Sequence, residues 1–168
     1  KNLILIKTKN NIIRKEEQKS VVGGYLIQDC NKIIIDQKKL KCVTKYKANK
    51  KTLQDLFFAF SVCKHVKSNA IVLARDNQVL AIGGGQTNRL ESIKIALKKK
   101  SYKGKNYGGF VLASDGFFPF ADNLNALKNH NCKAIIQPGG SKNDKDIIRI
   151  SNLKKLPMYF TGIRHFKH

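Results

Sequence analysis

Arg89, Arg164, Phe117, Asp122, Asn69 and the pair Lys64-His65 are the side chains here whose types and neighbours could do chemistry. Arg89 follows GGGQTN, in which Gly83-Gly84-Gly85 lies between an apolar run and a helix start. Glycines let a ligand approach the backbone, and N–H groups at a helix N-terminus favour an anion. A cation in the first helical turn opposes the helix dipole, so a phosphate or carboxylate guest would account for Arg89. The alternative is a tight turn packed on a sheet, and neither Gly-Lys-Ser/Thr nor G-x-G-x-x-G is present. VLASDGFFPFADN sets Phe117, Phe118, Pro119 and Phe120 ahead of Asp122. Rings offer π-faces to a flat heterocycle, Pro119 stiffens the bend, and Asp122 can accept N–H donors. The same rings could instead plug the core.

Three further stretches belong with these. Lys64-His65 could poise a base, since a lysine lowers the pKa of a neighbouring imidazole, but it also fits a solvated helix end. The Asn69 amide could donate to and accept from a ligand, or cap the turn that precedes an apolar strand. QPGGS, Gln137 to Ser141, repeats the strand-to-glycine-loop theme and offers a second cradle of N–H groups. FTGIRHFKH is unusually rich in rings and charge for a terminus, so it is expected to fold back into a site with Arg164 as an anion ligand.

Composition removes several classes. The four cysteines, Cys30, Cys42, Cys63 and Cys132, form no C-x-x-C pair. His65 is followed by Val66 and Lys67 rather than by x-Glu, so zinc deaminase chemistry is rejected and no metal is expected. Reduced thiols in a cytoplasm follow from a chain large enough to fold without staples. No apolar run approaches the roughly 20 residues of a membrane helix. The net charge of +22 would attract polyanions, yet the lysines occur in every segment with no concentrated basic arm, so specific nucleic-acid binding is not expected. The sequence begins with Lys rather than Met, and a piece of a longer chain is expected.

These residues need a scaffold. At 168 residues, 42% hydrophobic, with no low-complexity linker, the chain reads as one domain. LILIK and VGGYLIQD read as strands. Thr52, as N-cap, opens a helix to about Val66 with Leu53, Leu56, Phe57 and Phe60 on one face. AIVLARDNQVLAI reads as a hairpin turning at Asp76-Asn77. Asn88 and Glu91 have the form of a capping box for a helix burying Leu90, Ile93 and Leu97. GGFVLAS is a strand, Asp122 to about Lys128 a short helix, KAIIQ a strand, Asp144 to Leu153 a helix, and MYF the last strand. That alternation predicts an α/β layered fold with a largely parallel sheet, whose ligands gather at the carboxyl ends of strands.

KHVKSNAIVLARD, AIGGGQTNRLES, LASDGFFPFADN, IIQPGGS and FTGIRHFKH, in this order and spacing, resemble the C-terminal half of the AICAR transformylase family. In that family the domain shares a bifunctional polypeptide with IMP cyclohydrolase. VVGGYLIQD fits it more loosely, and the resemblance covers nearly the whole chain. It implies formyl transfer from 10-formyltetrahydrofolate, a co-substrate, to the 5-amino group of AICAR, an imidazole carboxamide ribotide, in purine (IMP) biosynthesis. It further implies a cytidine-deaminase-like three-layer α/β/α sandwich without zinc. Residues 1–168 would be the second of two repeats, with active sites at a homodimer interface.

Residue by residue, Asn69 matches an asparagine near the reacting groups of AICAR. Arg89 and Arg164 match arginines that contact the nucleotide, and Phe117 matches the aromatic packed on its heterocycle. Leu90, Asp122, Ser141 and Lys142 fall at positions lining the folate pocket. The family's catalytic Lys-His pair lies in the first half of its domain, in a Lys-His-Val-Ser-Pro-Ala-Gly type stretch. Lys64-His65 continues as Val-Lys-Ser-Asn and matches the second repeat, so the base role is not carried onto His65. The missing half is expected to supply it. Two other possibilities remain open here: a fragment that binds a ligand or partner without turnover, and a basic nucleic-acid-binding protein.

Overall fold

Side chains leave a central sheet on alternate faces, and that alternation organises the larger part of the molecule. The structure, a computed structural model, describes residues 4, 6–7, 15–33, 35–102 and 108–167. It comprises two units, Lys1–Ile33 and Ile34–His168. The first holds an antiparallel hairpin of β1 (Glu16–Val21) and β2 (Gly24–Asp29). The expected strand VGGYLIQD therefore starts at Gly24, because Val22-Gly23 form the turn, with Gly23 at φ +84°. β1 was not anticipated, since EEQKS is polar throughout. LILIK falls partly outside the described residues, and its described members, Ile4, Ile6 and Lys7, are not in a strand.

The second unit carries β3 (Lys41–Cys42), α1 (Lys50–Cys63), β4 (Ile71–Arg75), β5 (Gln78–Gly83), α2 (Arg89–Tyr102), β6 (Phe110–Ser114), α3 (Asp122–Asn125), β7 (Cys132–Gln137), α4 (Asp144–Leu153) and β8 (Met158–Phe160). The six strands among its described residues are ordered β3-β8-β7-β6-β4-β5. Only the β6-β7 and β7-β8 pairs are parallel, so the sheet is mixed rather than largely parallel. The departure arises at β4, which forms a hairpin with β5 and then lies antiparallel to β6. Asp76 and Asn77 turn that hairpin at φ +50° and +54°, the left-handed pair that two-residue hairpins favour.

Ile71, Leu73, Leu112, Ile135 and Met158 point to one face, where Ile93, Leu97 and Ile147 of α2 and α4 cover them. Val72, Ala74, Val111, Ala113, Ile136 and Tyr159 point to the other, under Leu56, Ala59, Phe60 and Cys63 of α1. The fold is thus α/β with helices on both faces. Strands buried on both sides explain why FVLAS and AII read as unbroken apolar runs. No helix among the described residues is long and apolar enough to cross a membrane.

Helix ends differ in detail from expectation. The N-cap of α1 is Asn49, whose Oδ1 accepts the Thr52 N–H at 2.8 Å, so Thr52 lies inside the helix. Asn88 Oδ1 accepts the Glu91 N–H at 2.9 Å, while the Glu91 carboxylate pairs with Lys94 at 2.8 Å. Leu90 is only half-buried, and α3 ends at Asn125.

Sheet directions also fix where the loops meet. β6, β7 and β8 run the same way, so the segments after Ser114, Gln137 and Phe160 leave from one edge. Ile71 pairs with both Ser114 and Gly83, which brings the start of β4 and the end of β5 to that edge too. Five segments therefore form one rim: 64–69, 84–89, 115–121, 138–143 and 161–167.

Candidate functional site

On this rim Asp115 is fully buried and tied on both carboxylate oxygens. Its Oδ1 accepts from Arg89 Nη2 at 2.9 Å and its Oδ2 from Ser68 Oγ at 2.6 Å. Arg89 is also buried, and its Nη1 donates to the Phe117 carbonyl at 2.8 Å. Its Nε is buried and has no hydrogen-bond partner among the described residues. The anion expected beside Arg89 is therefore present within the chain, as Asp115. A Cβ at Gly116 would run into the Arg89 guanidinium and the Phe166 ring, so a larger residue at that bend would displace one of them.

The aromatic loop divides between its two expected roles. Phe118 is fully buried among the core side chains beneath α2 and α4, whereas Phe117 is half-buried and Phe120 exposed. The Arg164 guanidinium carbon lies 5.1 Å from the Phe117 ring centroid and 6.0 Å from that of Phe166, within cation–π range. Arg164 is itself exposed, so its N–H donors face water. A Cβ at Gly140 would stand 3.8 Å from Arg164 Nη2, which places the guanidinium beside the QPGGS loop as well. Arg89, Phe117 and Arg164 are thus brought together.

The glycine loops turn out to be braces. Gly84 packs so closely on Val66 and the Lys67 carbonyl that a Cβ there would force the Val66 side chain to move. Gly85 N–H donates to Lys67 C=O at 2.8 Å, and both the N–H and Nδ2 of Asn69 donate to Gln86 C=O, at 3.2 and 2.9 Å. The Asn69 donor is engaged within the loop pair. In QPGGS, Gln137 Oε1 accepts the Phe118 N–H at 2.7 Å, Asn143 Nδ2 donates to Pro119 C=O at 2.6 Å, and Gly140 N–H is bound by the Asp144 carboxylate at 2.7 Å. Ser141 is half-buried and Lys142 exposed on the 138–143 segment, while half-buried Leu90 in α2 and exposed Asp122 in α3 each lie one residue beyond a rim segment. What ties their loops is Asn143 on Pro119 rather than these four side chains.

The terminal segment does fold back. His165 N–H donates to Asp115 C=O at 3.0 Å, and Ser68 N–H to Lys167 C=O at 2.9 Å. The His165 ring is buried against Phe60, centroids 4.6 Å apart. Burial first, then Lys64 and His65, pull its pKa down to about 4 against the opposing Asp115 charge, so it is neutral at neutral pH. Cys63, buried at the end of α1 and donating to Ala113 C=O at 3.4 Å, has its thiol pKa pushed well up by burial and by Asp115, which makes it inert. All four cysteines are free thiols. Two cavities of about 330 and 500 Å³ are lined by residues away from the rim, among them Lys51, Arg75 and Lys133 in one and Tyr46 and Arg149 in the other.

Asp115, Ser68, Gln137 and Asn143 were not singled out from the sequence. The available signal was an ionisable residue set directly after an apolar strand, in SDG. Its partners lie 26 and 47 positions away, and local pattern cannot pair them.

The AICARFT/IMPCHase bienzyme family matches residues 1–99. The bifunctional purine biosynthesis protein PurH of Thermoanaerobacter sp. is 46% identical over 168 residues, which is 100% of this chain and 32% of that protein. PurH of Prochlorococcus marinus subsp. pastoris is 46% identical over 171 residues, with the same coverage of 100% and 32%, and PurH of Bartonella henselae 45% identical over 157 residues, covering 89% and 29%. The chain spans about a third of the length of these relatives. Similarity covering the whole of this chain, with the family match over residues 1–99, places it in the AICARFT/IMPCHase bienzyme family.

Proposed function

We propose that this chain serves formyl transfer from 10-formyltetrahydrofolate to the 5-amino group of AICAR, as the second transformylase subdomain of a longer assembly. In that reaction the amine nitrogen bonds to the formyl carbon and the bond to folate N10 breaks. The amine loses a proton and N10 gains one, giving FAICAR and tetrahydrofolate. The observation that carries the reading is Arg164 held over the Phe117 ring, with Arg89 fixing the backbone carbonyl of Phe117. A guanidinium suits the ribotide phosphate, and a ring beside it suits the flat imidazole carboxamide. Asn69 would stand near the reacting groups, while Leu90, Asp122, Ser141 and Lys142 would face folate. The Lys-His pair acting as base would come from the other half. A mixed sheet covered by helices on both faces supports a cytidine-deaminase-like sandwich. A homodimer placing this rim at its interface, in a cytoplasmic setting, completes the proposal.

The test is a formyl-transfer assay of the chain with and without the N-terminal remainder of a PurH relative supplied in trans. General acid–base catalysis contributes roughly 10²–10⁴-fold, so the chain alone should be slower by at least that factor than the complemented pair. An inactive mixture whose two parts demonstrably associate would sink the assignment.

A further inference from the structure

Three other segments converge on the Asp115 residue. Its carboxylate holds Arg89 of α2 and Ser68 of the α1–β4 segment. Its N–H donates to Ala70 C=O at 3.2 Å and its C=O accepts from His165 of the terminal segment at 3.0 Å. Ser68 passes the constraint onward. Its Oγ donates to Asp115 and accepts the Lys167 N–H at 3.0 Å, while its own N–H donates to Lys167 C=O at 2.9 Å. The chain is therefore pinned at His165 and Lys167, immediately after Arg164. Phe117, on which Arg164 lies, is pinned through Arg89 to the same carboxylate. Ring and guanidinium share one anchor.

We propose that Ser68 and Asp115 are positioning residues that clamp the C-terminal segment so that Arg164, lying over Phe117, is presented to the phosphate of a ribotide. This rests on the function proposed above. An exposed arginine has much rotamer freedom to lose when it captures an anion. Fixing its backbone and stacking its plane on a ring lowers that loss in advance. Both features here depend on the clamp. Ser68 is the member to remove, because it is half-buried and uncharged, whereas removing Asp115 would leave Arg89 buried without its counter-charge.

The experiment compares wild type, Ser68→Ala and Ser68→Thr, which keeps the hydroxyl, each complemented with the remainder of a PurH relative. It measures equilibrium affinity for AICAR and for its nucleoside lacking the phosphate, release of C-terminal residues by a carboxypeptidase, and melting temperature. In Ser68→Ala, AICAR affinity should fall about tenfold, the loss of one charge-assisted contact, with the nucleoside changed less than about twofold. The terminus should be trimmed faster, and Ser68→Thr should behave as wild type. A faster-trimmed terminus with an unchanged AICAR-to-nucleoside ratio overturns the positioning role. So does an equal loss for both compounds alongside a lowered melting temperature, which would mark a purely structural residue. A terminus as protected in Ser68→Ala as in wild type overturns the clamp. If the wild type binds neither compound, the functional proposal falls and the phosphate role with it, while the trimming rates still decide whether the clamp exists.

Discussion

Arg89 is closed on Asp115 and the Phe117 carbonyl, whereas Arg164 lies exposed on a ring face, and these surroundings predict different phenotypes. Arg164→Ala removes a donor set that faces water, so the fold should persist while AICAR binding weakens by about 1.5–3 kcal/mol, the scale of a charged hydrogen bond. Arg89→Ala strips the counter-charge from a fully buried carboxylate, which destabilises by about 3–5 kcal/mol. Calorimetric titration of Arg164→Ala and thermal unfolding of Arg89→Ala separate the two. A normal melt for Arg89→Ala, or normal affinity for Arg164→Ala, would contradict the assigned roles. Both arginines were legible as cations in odd places, one in a first helical turn and one in a ring-rich terminus. The difference between them was not, because it is set by Asp115, which pairs with Arg89 across 26 positions.

At the scale of elements, α2 sits on β5 through one missing side chain. A Cβ at Gly83 would overlap the Ser92 backbone carbonyl in the first turn of α2, and helical backbone cannot swing aside as a side chain can. Gly83→Ala should therefore destabilise by about 3 kcal/mol, the upper end of overpacking, with urea denaturation as the readout. Loss of less than about 1 kcal/mol would show that α2 can shift bodily. The GGG stretch had two readings, an anion cradle or a tight turn; in the structure Gly83 ends β5 and both Gly83 and Gly84 are close-packing positions. Elements with strong local signals were readable: α1 from Leu56, Phe60 and their neighbours, and the β4–β5 hairpin from Asp76-Asn77. Strand direction was not, because parallel β6-β7-β8 and antiparallel β4 present the same apolar runs and differ only in how the chain returns. Nor was β3, a two-residue strand defined only by its pairing with β8.

Across the whole molecule, 33 basic residues face 11 acidic ones, so the folded chain repels itself and acid makes the repulsion worse as carboxylates are neutralised. Against this shared background, His165 adds a term of its own. The ring is buried against Phe60, and the charged or titratable groups acting on it are Lys64 and His65 at the end of α1 and Asp115 after β6. Its folded pKa of about 4 lies below the unfolded value of about 6.5. On acidification the unfolded chain takes up the proton first, so stability is complete above pH 6.5 and is lost as pH falls towards 4. The loss is on the order of 2–3 kcal/mol over that window. His165→Phe, which keeps a ring against Phe60 but cannot titrate, should flatten the decline by that amount. Chemical denaturation at stepped pH, in roughly 0.3 M salt to screen the general repulsion, reads it directly. Parallel decline of both proteins would mean that His165 titrates in the fold much as it does in water, and that the terminal segment is not held in the core beside Asp115.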